Sequence, residues 1–116
     1  MNLINISPLQ MTVLLFISKD DDRTKSRYAA RGFVENFLGF IGPFEETIDG
    51  LVEQEYVDRR MNNAGATFYT ITDSGLELVS KIKDLGQIKQ ILEEMGGNTK
   101  YLDRFFAMFG FKPEQE

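Results

Sequence analysis

The residues with chemistry to offer are arginines and carboxylates, because the chain has no His and no Cys. Nucleophilic catalysis usually needs an activating base, most often His. Zinc sites draw on His and Cys. Neither is available. Asp20-Asp21-Asp22 looks like the start of a calcium loop, but counting from Asp20 the sixth position is Lys25 and the twelfth is Arg31. A calcium loop needs Gly and a bidentate Glu there. Gly39-Phe40-Ile41-Gly42 lacks the pattern and the Lys of a phosphate loop. The carboxylate pairs Glu45 with Asp49, and Glu93 with Glu94, have no feature marking a pocket and read as solvated faces. The chain is therefore read as a non-enzyme with no cofactor and no metal.

What remains is charge. Arg23, Arg27 and Arg31 recur every four residues, with Lys25 nearby, and form the single basic stripe. Arg59 and Arg60 form a second, smaller group. Two uses are open to the stripe. Its guanidiniums can meet phosphates, or they can pair with the Asp20–Asp22 loop and with Glu35, four residues beyond Arg31. Glu45, Glu46, Asp49 and Glu53 make a third group, and no Lys or Arg lies between Pro43 and Glu55.

The elements that must position these residues are legible in part. Ser7-Pro8-Leu9-Gln10 reads as a capping box with Pro in the first turn. Leu9, Val13, Phe16 and Ile17 follow as a buried helical face. A second helix is expected from about Thr24 to Leu38, on Ala30, Phe33, Val34, Phe37 and Leu38. Phe40 and Ile41 are expected to plug the core. A third helix begins at Pro43, with Phe44, Ile48, Leu51 and Val52 on one face. Asn62-Asn63-Ala64-Gly65 is a turn signal, and Thr67 to Thr72 is rich in β-branched and aromatic residues. The order after Pro43 is helix, strand, turn, strand. Ser74 with Glu77 suggests the cap of another helix.

From Leu78 to Met95 an apolar stripe argues one long helix, or two with a bend near Gly86. Gly96-Gly97 stops it, and Asn98 caps a last helix carrying Leu102, Phe105, Phe106 and Phe109. Phe111 and a frayed Lys112-Pro113-Glu114 end follow. The tail is too apolar to face water, so it packs on its own domain or on another chain.

This pattern resembles a known family. A helix ending in LVEQEYVDRR, a polar turn, then TFYTITDSGLELV, is similar to the core of a winged-helix domain. The nearest likeness is to PadR-like and MarR-like transcriptional regulators, through Leu51, Tyr56-Val57, Tyr69-x-Ile71-Thr72 and Gly75. It covers roughly residues 7 to 83. The resemblance implies a mainly α fold with a small β-hairpin, a winged helix-turn-helix plus C-terminal helices. It implies a winged-helix domain over 1–83 and a helical extension over 84–116. It further implies double-stranded DNA as partner. Arg27 and Arg31 would meet phosphates, Arg59 and Arg60 would act beside the wing, and Thr47 would face base edges. In these families the C-terminal helices dimerise, which here points to Leu85, Ile88, Leu92, Phe105, Phe106 and Phe109.

Composition pulls the other way. The net charge is −5 and the pI about 4.8, which does not draw a polyanion to the whole surface. The alternative is a winged helix used as a protein-interaction module, offering Glu45, Glu46, Asp49 and Glu53 to a basic protein partner. The longest apolar run, Val13 to Ile17, is too short to span a bilayer, so no membrane role is expected. With no signal peptide legible at the N-terminus, the expected setting is the cytoplasm.

Overall fold

Ser7 begins the first element as the sequence suggests. Its Oγ accepts from the Gln10 N–H at 3.1 Å, and the Gln10 side chain accepts from the Ser7 N–H at 2.8 Å. Two donors that an N-terminal turn leaves unpaired are thereby satisfied. Helix α1 runs Pro8–Ser18. Leu9, Val13, Leu14, Leu15 and Ile17 are all buried, so α1 is enclosed on most sides. The computed structural model describes residues 6–19, 24–39, 44–82 and 84–110. The Asp20–Asp22 loop, Arg23, the Phe40–Ile41 plug, Pro43, Phe111 and the Lys112-Pro113-Glu114 end lie outside the described residues.

The expected helix start at Thr24 is corrected. Thr24–Ser26 forms a short strand, β1, antiparallel to the second hairpin strand, with Thr24 opposite Thr70 and Ser26 opposite Phe68. Three residues carry too little pattern to announce a strand, and pairing with a segment far along the chain decides the matter. Ser26 then caps α2, Arg27–Gly32, accepting from the Ala29 N–H at 3.1 Å. The helix continues as a π-helical turn over Phe33–Phe37, closed by Leu38 N–H donating to Phe33 O at 3.0 Å.

Helix α3 spans Phe44–Glu53, and Phe44, Ile48 and Leu51 are fully buried, as the spacing requires. Glu55 takes a positive φ of 66° and turns the chain into the hairpin. Strands β2, Val57–Met61, and β3, Thr67–Ile71, pair antiparallel, with Val57 opposite Ile71 and Arg59 opposite Tyr69. At the tip the Asn62 side chain accepts from the N–H of Ala64 and of Ala66, both at 2.9 Å. The sheet has three strands in the order β1-β3-β2, so the hairpin gains a strand that sequence reading missed. Phe44 meets the ring of Tyr69 edge-on at 6.3 Å, which seats α3 under the ribbon.

The next cap is also corrected. Thr72, not Ser74, caps α4, Asp73–Lys81. Its hydroxyl accepts from the Gly75 N–H at 3.0 Å and donates to Glu55 O at 2.7 Å. Thr72 has this double use because the chain at Glu55 is brought beside it. A Cβ on Gly75 would stand 2.3 Å from the Tyr56 carbonyl oxygen, so only Gly permits this approach.

The apolar stripe forms two helices, and the break falls between Lys81 and Leu85, close to Gly86. Ile82 is extended and Asp84 caps α5, Leu85–Glu94, which contains Gly86. Gly96 takes a φ of 111° and Gly97 N–H bonds Leu92 O at 2.9 Å, ending α5. Asn98 caps α6, Thr99–Ala107, as expected. One buried cluster runs from Ile6 to Phe106 and draws on both the 1–83 segment and the tail. Phe33 links them: it stacks on Phe16 at 4.1 Å and meets Phe105 at 5.0 Å. Burying such a ring stabilises by about 1.5–3 kcal/mol. The architecture is that of a winged helix, mainly helical, with a small antiparallel sheet. Among the described residues no helix is long and apolar enough to cross a membrane.

Candidate nucleic-acid interface

The period of α3 sorts its residues. Phe44, Thr47, Ile48 and Leu51 stand at i, i+3, i+4 and i+7 and share the inner face. Thr47 is therefore buried, at 7% exposure, and does not face outward to read bases. Its carbonyl accepts from the Gln10 side chain of α1 at 3.2 Å. The same spacing turns Glu45, Glu46, Asp49 and Glu53 away from the core. The sequence held this answer, since the Phe44 period places Thr47 inside.

The period of β2 sorts the two arginines of the hairpin in the same way. Neighbouring residues on a strand point to opposite faces. Arg59 shares a face with Val57 and lies over the ring of its partner Tyr69, 5.8 Å from the centroid. From there its guanidinium closes on Asp49 of α3. Arg60 points to the other face and sits 3.6 Å from Asp58. The pair read as one group is thus split between two surfaces.

On α2, Arg27 reaches Glu45 of α3 in a direct ion pair. Arg31, one turn later, pairs with Glu35 at 2.7 Å, and its second arm approaches Glu45 at 3.8 Å. The Arg27 guanidinium is held above the ordinary arginine value, first by the hydrogen bond to Glu45 and then by that residue's charge. Arg59 is held above it too, chiefly by the hydrogen bond to Asp49. The Tyr69 hydroxyl adds a smaller contribution to each. These guanidiniums stay charged at any ordinary pH, so the surface offers charge recognition rather than proton transfer.

Tyr69 enters the sequence reading only through the winged-helix pattern, with no place in the site. It sits on the central strand, 1% exposed, with Arg27 following one edge strand and Arg59 on the other. Lys25, opposite Tyr69 on β1, extends over the Phe16 ring at 5.2 Å. The signal was the register itself, which places Tyr69 between two cations and which no single segment reveals. By contrast, Glu46 and Glu53 are exposed, and no cation among the described residues forms an ion pair with either.

The residues expected to dimerise lie mostly inside. Leu92 and Phe106 are 0% exposed, and Ile88 and Phe105 are buried beside them, whereas Leu85 and Phe109 are only partly covered. Between α5 and α6, Lys89 bridges Glu93 at 2.7 Å and Asp103 at 2.8 Å. Asp103 Oδ1 is buried with no other hydrogen-bond partner among the described residues, so this contact is ionic more than directional. Burial works against the charged amine, but the two carboxylates outweigh it and hold Lys89 above its usual value.

No family model matches the chain, and no curated protein does either. Among solved structures the chain is similar to H. salinarum RosR, with a TM-score of 0.58, 14% identity and 94% of each chain covered. Likeness at that identity speaks for the fold, and it extends over the tail as well as the winged-helix core.

Proposed function

We propose that this chain is a DNA-binding transcription regulator of the winged-helix class, related to PadR-like and MarR-like proteins and working as a cytoplasmic dimer. The observation that carries the reading is the placement of Arg27, Arg31 and Arg59. They come from two different elements and converge on the exposed face of α3, where a groove-reading helix needs phosphate contacts on its flanks. The winged-helix architecture, shared with RosR over nearly the whole chain, supports it. In this reading Arg27 and Arg31 meet one stretch of backbone, and Arg59 meets another beside the wing, with Arg60 on the opposite face of the hairpin. Base edges fall to the outward residues of α3, where a Glu accepts from cytosine N4. The dimer contact falls to what the core leaves open, Leu85 and Phe109, with Ile88, Leu92, Phe105 and Phe106 shaping the face from behind.

The test is a fluorescence-anisotropy titration with random duplex DNA at low and moderate salt. Binding that weakens as salt rises is the expected result. No binding at low salt would remove the reading.

A second reading is favoured by Glu46 and Glu53, which face solvent with no cation paired to them among the described residues. Here α3 meets a basic protein partner instead of DNA, and charge complementarity steers the encounter.

A further inference from the structure

We infer that Glu45 and Asp49 are an internal stand-in for phosphate, occupying the guanidiniums that duplex DNA must take, so that binding opens both pairs. The inference rests on the DNA reading above and adds how that interface is regulated. Glu45 and Asp49 stand one helical turn apart on α3. Each accepts from a guanidinium that arrives from a different element, Arg27 from α2 and Arg59 from β2. Carboxylate and phosphate offer oxygens of similar geometry to the same planar fork, so one replaces the other without rebuilding the site.

The two pairs are also built to open. The side chains of Arg27 and Glu45 are 43% and 47% exposed, and those of Arg59 and Asp49 are 42% and 58% exposed. Pairs so wet are weak and easily exchanged. Lys89, whose pairs lie away from this face, is only 13% exposed and serves as a fixed brace between α5 and α6. The acids of α3 are therefore of two kinds. Among the described residues, Glu45 and Asp49 are engaged with arginines, whereas Glu46 and Glu53 are not. Removing the first two frees specific cations. Removing the second two changes net charge by the same amount and frees none.

The experiment compares four full-length proteins against random duplex DNA by anisotropy over a series of salt concentrations. They are the wild type, Glu45→Gln with Asp49→Asn, Glu46→Gln with Glu53→Gln, and the first pair combined with Arg27→Ala and Arg59→Ala. The Glu45/Asp49 variant should bind at least about tenfold tighter than wild type at low salt. Its log–log salt slope should stay as in the wild type, since the same phosphates are neutralised in both complexes at about 0.9 each, so the gain is read in affinity. The Glu46/Glu53 variant should show less than half of that gain, and adding the two arginine changes should erase the rest. A Glu45/Asp49 variant that matches wild type, or that matches the Glu46/Glu53 variant, overturns the inference while DNA binding by the wild type leaves the functional reading standing. If none of the four binds, both fall. Should the double variant melt at a much lower temperature, Glu45→Gln and Asp49→Asn made singly carry the same comparison, each expected to give part of the gain.

Discussion

Arg59 of β2 lies over the ring of Tyr69, its partner across the ladder, and from that platform bonds Asp49 of α3. The wing is thereby tied to α3 through a side chain that is half in water. Any ligand that takes the Arg59 guanidinium also loosens the hairpin from α3.

The wing should matter to affinity and to its salt dependence. Arg59→Ala with Arg60→Ala is expected to weaken binding to duplex DNA. The log–log salt plot should flatten by about 0.9 for each phosphate that is no longer neutralised. Anisotropy at several salt concentrations measures both. An unchanged affinity with an unchanged slope would take the wing out of the interface.

The acidic face separates the two functional readings. Glu46→Lys with Glu53→Lys reverses charge where no ion pair among the described residues is broken, so the fold should be kept within about 1 kcal/mol. If the partner is DNA, the variant should bind more tightly. If the partner is a basic protein, capture of that protein should be lost, and a pull-down that survives the reversal argues against the acidic face.

Lys89 gives a prediction in pH. Against the opposing effect of burial, Asp103 and Glu93 raise its folded value above the ordinary 10.5. A raised lysine contributes stability that is complete below its unfolded value and is lost as pH climbs through the folded one. Lys89→Met should lower stability by about 2 kcal/mol near neutral pH, because Asp103 is left half-buried without its cation. Urea denaturation of both proteins across the alkaline range should show the difference shrinking above about pH 10.5. A constant difference would mean that the loss lies in packing and not in charge.

The tail should divide into residues of core and residues of contact. Phe105→Ala removes a ring that touches Phe33, Phe106 and Phe109, and it should cost about 3–5 kcal/mol in the folding of the single chain. Leu85→Gln with Phe109→Gln should instead shift a dimer toward monomer with the helical signal retained. Size exclusion with light scattering reads the second effect, and a wild type that elutes as a monomer at all concentrations ends the dimer proposal.

The sequence by itself determined the elements whose cause is local. The Ser7–Gln10 box, the inner face of α3 at Phe44, Ile48 and Leu51, the hairpin around Asn62 and Gly65, and the Asn98 cap all follow from periods and side-chain chemistry within a few residues. Tertiary structure decided what depends on segments meeting. Thr24 lies beside Thr70, 46 residues on, and so becomes strand. Thr72 caps α4 because Glu55 is held next to it. Arg27 faces Glu45 across 18 residues, and Arg59 faces Asp49 across 10. The physical reason is that a cation's partner is chosen by distance in space, and register and helix docking set that distance. The stripe of charge was visible in the chain, but only the packed structure assigns each arginine to its carboxylate.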